Sequence, residues 1–168
     1  IATSKAAPCF GGVYKLVQID GVDVLKRSED KIKLINPGFQ ITYRIMQKGM
    51  NEADVTCLRG DSMERKILSG RTITLRDEFD RTKRKMFHEG EYTARPLQEL
   101  FIADGNDIHV EPTIMEKKAY FNATLNAFDP SERRLINPHY YKVDISDDLY
   151  DTKMRILNRL NREIEEFV

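Results

Sequence analysis

Residues 36–45 read NPGFQITYRI, and this stretch decides the class of fold. Asn36-Pro37-Gly38 combines the fixed φ of proline with the positive φ that glycine tolerates, which is the chemistry of a tight turn. Beyond the turn, Ile41, Tyr43 and Ile45 alternate with Thr42 and Arg44, the period of two that sends one face of a strand into a core. Working outward, Ala53 to Leu58 is predicted to pair with that strand. On the other side, Val13 to Ile19 (VYKLVQI) is rich in β-branched and aromatic residues, Asp20-Gly21 is a hairpin signal, and Val22 to Leu25 returns antiparallel. Lys31 to Leu34 reads as a further short extended run.

Between Asp61 and Glu91 the chain is highly charged, and its apolar runs at Ile73 to Leu75 and Met86-Phe87 predict only short strands exposed on one face. Leu97 to Ala103, Asp104-Gly105-Asn106 and Ile108 to Val110 predict one more hairpin. The period then changes. Thr113 and Glu116 have capping-box spacing, and Ile114, Phe121, Leu125 and Phe128 fall on one helical face. Asp129-Pro130-Ser131-Glu132 repeats the start signal for a short turn of helix. Ser146 caps a last helix with Asp147 and Asp148 in its first turn and an apolar stripe of Tyr150, Met154, Leu157, Leu160, Ile164 and Phe167. Strands first and helices last predict an α+β arrangement, with the two helices packed on a sheet.

Composition narrows the function. The 168 residues suit one domain, or a small domain with part of another. Lys plus Arg and Asp plus Glu both number 27, so no global field favours nucleic acid or an anionic membrane, and any anion site is local. No apolar run approaches the roughly 18 residues of a membrane span. Cys9 and Cys57 lack CxxC spacing, which fits free thiols in a reducing compartment and a cytoplasmic location. The chain opens at Ile1 in what reads as the end of an element, which suggests a piece of something longer or a processed start.

Catalytic signatures are absent from the sequence: there is no P-loop, GxGxxG, GxSxG or HExxH, and His88, His109 and His139 stand among unrelated neighbours. Each reads as a structural or surface histidine, so no residue is assigned a catalytic or metal-binding role. Arg59-Gly60-Asp61 reads as a turn, Asn122-Ala123-Thr124 lies inside a predicted helix, and Arg81 to Lys85 is a solvated basic strand face. The N-terminal segment differs. Thr3-Ser4, Phe10-Gly11-Gly12, Tyr14-Lys15, Lys31 and Lys33 place hydroxyls, glycines and ammonium groups on turns and strand ends, where backbone N–H groups and point charges could hold phosphate oxygens; on these residues alone the stronger reading is structural, with Gly11-Gly12 allowing close packing and the lysines facing water.

The run TSKAAPCFGGVYKL (3–16) resembles the segment that leads out of the phosphate-binding loops of nicotinate phosphoribosyltransferases into a following barrel strand. KIKLINPGFQITYR (31–44) is similar to that family's Lys-Leu, Pro-Gly and Tyr-Arg pattern. Phe87-His88-Glu89 looks like its Phe-His-Pro element, and Arg95-Pro96-Leu97 and RLINPHY (134–140) match its late landmarks. Ile35-Asn36 and Glu89 depart from the pattern, where the family often has Ser after Lys-Leu and Pro after Phe-His.

The resemblance implies the closing strands of an incomplete type II phosphoribosyltransferase α/β barrel over residues 1–46. A β-rich C-terminal domain with two terminal helices follows over 47–168. It implies transfer of a phosphoribosyl group to nicotinate, giving nicotinate mononucleotide and pyrophosphate in NAD salvage, with ATP hydrolysis coupled through a phosphohistidine that none of the three histidines matches. Thr3, Ser4, Gly11 and Gly12 would sit beside the phosphate-binding end of the barrel, and Lys15, Lys31 and Lys33 would face bound phosphates. Mg²⁺ and ATP are implied for a whole enzyme and none for this segment alone. Nicotinate and phosphoribosyl pyrophosphate are met through a missing barrel, in a homodimer, and the chain alone is expected to be inactive. The rival expectation is a stand-alone protein-interaction or scaffold module. Exposed apolar area around Val13 to Ile19 separates the two, because only a part of something larger leaves such a face uncovered.

Overall fold

The computed structural model describes residues 14–26, 28 and 33–165, and these fall into two units. One comprises the residues up to Gly38 together with those from Lys153 on; the other is Phe39–Thr152.

In the smaller unit, β1 (Gln18–Ile19) and β2 (Val22–Asp23) form the expected hairpin, with Ile19 opposite Val22. Asp20 and Gly21 have φ of 48° and 78°, the left-handed pair that a two-residue turn needs to match strand twist. The Val17 carbonyl accepts from the Val24 N–H at 2.9 Å and from the Gly38 N–H at 2.8 Å, tying the hairpin to the predicted Asn36-Pro37-Gly38 turn. Strand content here falls short of the prediction. Residues 14–17 are irregular, and Lys33 lies in a 3₁₀ turn where an extended run was expected.

The larger unit starts with β3 (Gln40–Gln47) and β4 (Met50–Leu58), paired antiparallel with Ile41 opposite Cys57 and Ile45 opposite Ala53. Ile41, Tyr43 and Ile45 are buried as their alternation requires, and Ala53, Val55 and Cys57 meet them from β4. Next comes α1 (Ser62–Leu68), in a region where only short strands were expected. Asp61 caps it, accepting from the Glu64 N–H at 2.7 Å, while the Glu64 carboxylate accepts from the Gly60 N–H. Met63 and Ile67 then enter the core.

β5 (Ile73–Arg76) and β6 (Arg84–Phe87) pair with Ile73 opposite Phe87, and β7 (Thr93–Pro96) lines the far side of β3. β8 (Ile102–Ala103) and β9 (Asn106–Asp107) flank Asp104-Gly105, so the predicted hairpin forms with strands of only two residues. α2 (Ile114–Asn126) has the predicted capping box: the Thr113 N–H donates to Glu116 Oε2 at 2.7 Å and the Glu116 N–H to Thr113 Oγ1 at 3.3 Å. It does not pack on the sheet as expected, because none of its residues is buried. The Asp129-Pro130-Ser131-Glu132 signal produces a turn and no helix, with Asp129 Oδ1 accepting from the Ser131 N–H at 2.8 Å.

β10 (Val143–Ile145) was not anticipated; it runs parallel to β4 and antiparallel to β5, completing a six-stranded order β6-β5-β10-β4-β3-β7. Parallel pairing of strands this far apart in sequence leaves no hairpin signal to read. α3 (Asp147–Glu165) follows, and Ser146 Oγ accepts from the Leu149 N–H at 3.1 Å as the cap predicts. Among its described side chains the buried ones are Leu149, Lys153 and Ile156, whereas Met154 is exposed, so the buried face is rotated by about one residue from the predicted stripe. The result is a mixed α/β fold.

Candidate functional site

Thr3, Ser4, Gly11, Gly12 and Lys31 lie outside the described residues. Lys15 and Lys33 are described, and both are exposed. Lys15 joins Lys26, Leu16 and Leu25 along a cleft of about 350 Å³ on the β1–β2 hairpin. Lys33 lines neither this cleft nor the next. A second cavity of about 390 Å³ is bounded by Gly21, Val22 and Asp23 of the hairpin and by Arg155, Ile156, Arg159 and Arg162 of α3.

The three arginines recur at i, i+4 and i+7, which places them on one helical face. Guanidinium groups hold phosphate or carboxylate oxygens through two parallel N–H donors, so this face of the smaller unit is suited to an anion. The sequence reading followed the apolar stripe of α3 and passed over these arginines. Their spacing was the signal that would have found them.

The larger unit contains a polar cavity of about 370 Å³ lined by Asn51, Glu52, Lys85, Glu132, His139 and Lys142, among others. Its cations are largely matched: Lys85 Nζ lies 2.5 Å from Glu52 Oε2, and Lys142 Nζ lies 3.0 Å from the buried Asp144. Burial holds the Asp144 carboxyl above its ordinary range, opposed by Lys142, and neither of its oxygens receives a well-directed hydrogen bond.

The histidines do not converge. His88 is exposed, His109 stacks on Phe101 at 4.0 Å with Nε2 3.3 Å from Glu111 Oε2, and His139 lines the polar cavity. Burial, reinforced by Asp61 and Glu64, pushes the Cys57 thiol far up, so it stays protonated at neutral pH and is a core residue. No group of three or more His, Cys, Asp or Glu side chains among the described residues is placed to hold a metal ion.

One further arrangement ties the segment after α2 to the sheet. Arg44 on β3 forms a bidentate pair with Asp54 on β4 at 2.9 and 2.8 Å, and its guanidinium lies 5.1 Å from the Phe128 ring centroid and 5.8 Å from that of Tyr141. The Tyr141 hydroxyl donates to Asp54 Oδ1 at 3.0 Å, and burial pushes the phenol well above its usual range. The pair is structural, with its charges matched across neighbouring strands.

Residues 39–153 match the model of the nicotinate phosphoribosyltransferase C-terminal domain. Over 181 aligned residues the chain is 28% identical to a nicotinate phosphoribosyltransferase of Bacillus subtilis, covering 99% of this chain and 34% of the relative. Over 152 residues it is 30% identical to one from Caenorhabditis elegans, covering 89% and 26%. The crystal structure of human nicotinic acid phosphoribosyltransferase superposes with a TM-score of 0.64 at 22% identity, over 89% of this chain and 27% of that one. The chain thus spans between about a quarter and a third of the length of the relatives it matches.

Proposed function

Because the chain belongs to the nicotinate phosphoribosyltransferase C-terminal domain family, we propose that it is the C-terminal part of an enzyme that joins nicotinate to phosphoribosyl pyrophosphate. The products are nicotinate mononucleotide and pyrophosphate in NAD salvage, with coupled ATP hydrolysis, in a cytoplasmic homodimer. The family match over residues 39–153 is the observation that carries this reading.

In such a transfer the protein holds the pyrophosphate and positions the acceptor while positive charge develops on the ribose. Thr3, Ser4, Gly11, Gly12, Lys15, Lys31 and Lys33 line the phosphate side on this reading. Mg²⁺ belongs to the whole enzyme on this reading, and among the described residues no group of three or more His, Cys, Asp or Glu is placed to hold it. The phosphorylated histidine lies in the part of the enzyme that precedes this chain. Support for that division comes from the N-terminal hairpin, where Tyr14, Leu16, Ile19 and Val22 are all exposed, an apolar face that a self-sufficient interaction module would cover.

Formation of nicotinate mononucleotide is the deciding assay. The 168-residue chain alone is expected to show no turnover, and the complete gene product that contains it is expected to turn over. A complete product without activity overturns the assignment, and activity of the chain alone overturns the division of labour.

A further inference from the structure

From Phe128 to Tyr141 the chain leaves the sheet and returns to it as a closed loop. The two end rings meet edge-on with centroids 4.9 Å apart, and both lie against the Arg44 guanidinium, at 5.1 and 5.8 Å. The flanking backbone is tied to β4, with the Asn51 N–H donating to the Ala127 carbonyl at 2.7 Å and the Asp54 N–H to the Lys142 carbonyl at 2.9 Å. Inside the loop the His139 N–H donates to the Ser131 carbonyl at 3.0 Å. A compact loop of this length with its ends pinned together is an Ω-loop, a device that frequently carries function. Ser131, Glu132, His139 and Tyr140 of the loop line one side of the polar cavity of about 370 Å³, and Asn51 and Glu52 of β4 with Lys85 and Lys142 line the other.

Each side contributes a buried polar atom without a hydrogen-bond partner among the described residues. Asn51 alternates onto the same face of β4 as Ala53 and is 5% exposed, and its Nδ2 has no acceptor. Glu132 Oε2, from the loop, has no donor. Buried polar groups are rarely left unmet, so a leftover donor and a leftover acceptor around one cavity point to a guest that brings the complement of both. The other charges are already matched: Lys85 with Glu52, Lys142 with Asp144, and Asp129 with the Ser131 N–H. The carboxylates of Glu52, Asp129 and Glu132 all line the cavity, which disfavours an anion. His139 and Tyr140 add aromatic rings to the loop side, a lining that suits a flat molecule.

We propose that this loop and the end of the sheet form a binding site for a small uncharged molecule with an amide-like edge, an amino group beside an sp² acceptor. Primary carboxamides and aminopurines share that chemistry. The guest's carbonyl oxygen or ring nitrogen accepts from Asn51 Nδ2, and its amino group donates to Glu132 Oε2. Both protein atoms are sealed while the loop is closed. Entry therefore requires the loop to lift from the sheet, with Phe128 and Tyr141 staying on Arg44. The site stands apart from the phosphoribosyltransferase reading and does not depend on it.

Calorimetric titration of the complete protein that contains these residues tests the proposal with two matched pairs of probes, benzamide against benzoate and adenine against purine. The amino-bearing member of one pair should bind at least about tenfold more tightly than its partner, and which pair shows the difference separates a carboxamide site from an aminopurine site. Asn51→Ala and Glu132→Ala should each weaken that probe by at least about tenfold, whereas Lys118→Ala on α2 should leave its affinity unchanged. Hydrogen exchange locates the site without mutation: the saturating probe should slow exchange across residues 129–140 at least about threefold, with α2 unaffected. Should either variant fail to fold, this footprint on the parent protein decides. Absence of binding by all four probes overturns the proposal, as does equal binding within both pairs. Binding that leaves the loop's exchange unchanged, or that survives both substitutions, overturns it too, since the probe then sits elsewhere.

Discussion

The β3–β4 ladder and the α2 segment are built from equally clear local devices, a two-residue turn in one and a capping box in the other, but they treat their apolar side chains in opposite ways. β3 and β4 send Ile41, Ile45, Val55 and Cys57 into a core where they are essentially inaccessible. α2 forms with good end geometry and leaves Ile114 and Phe121 in water. Local chemistry therefore dictates that an element exists, and a second surface dictates whether it is covered. In the sheet that surface is the rest of the same unit. For α2 the described residues bury none of its side chains.

The sharpest way to break this contrast is a pair of truncations. Phe87 is fully buried and packs edge-on to Tyr92 with ring centroids 6.0 Å apart, so Phe87→Ala should cost about 3–5 kcal/mol in urea unfolding. Phe121→Ala in the isolated chain should stay within about 0.5 kcal/mol. Comparable costs would erase the distinction between the two regions.

A smaller effect probes how the sheet unit closes on itself. Asp61 accepts from the Glu64 N–H and, through Oδ2, from the Leu58 N–H at 3.1 Å and the Ser146 hydroxyl at 2.6 Å. Asp61→Ala removes the cap of α1 and strands two buried donors, and a loss of about 2 kcal/mol is expected from denaturant titration. A loss below about 0.5 kcal/mol would mean that this junction carries no closure of the core.

The smallest effect is one of sign. Asp144 is buried with its pKa raised above the ordinary 3.8, so its charged form is disfavoured in the fold. Its cost is absent below the unfolded value and appears as pH rises through the folded one. Asp144→Asn should gain stability relative to the parent between about pH 4 and pH 7. Asp148 behaves oppositely: the Ser62 hydroxyl and N–H lower its pKa, so its contribution is present above the ordinary range and lost as pH falls. Unfolding midpoints of both Asn variants at pH 4 and 7 should therefore move in opposite directions, and parallel movement would refute the Asp144 assignment.

The sequence disclosed what is local. Ile41, Tyr43 and Ile45 named the core face of β3, Asp20-Gly21 named a hairpin, and the Thr113–Glu116 and Ser146 caps named the starts of α2 and α3. It hid α1, because Arg65 and Lys66 obscured a helix whose Asp61–Glu64 start signal was present. It hid β10 altogether, since three residues recruited into the middle of a sheet from about 90 positions away in sequence carry no periodicity of their own. The stripe of α3 was misplaced because Lys153 lies on the buried face, its stem covered while Nζ donates to Asn36 Oδ1 at 3.0 Å. For the phosphate site, only Lys15 and Lys33 fall in the described residues. The arginines of α3 were legible as a spacing but not as a cavity, which needs the hairpin opposite them.

The place of β10 has a consequence for synthesis. It is the bridge between the β5–β6 hairpin and the β4–β3–β7 strands, and it is made last. Until Ile145 has left the ribosome, a nascent chain holds two half-sheets with open inner edges, each a template for the wrong neighbour. Translation speed and chaperone cover over the preceding eighty or so residues then govern the yield of correctly closed molecules, more than the strength of any one strand.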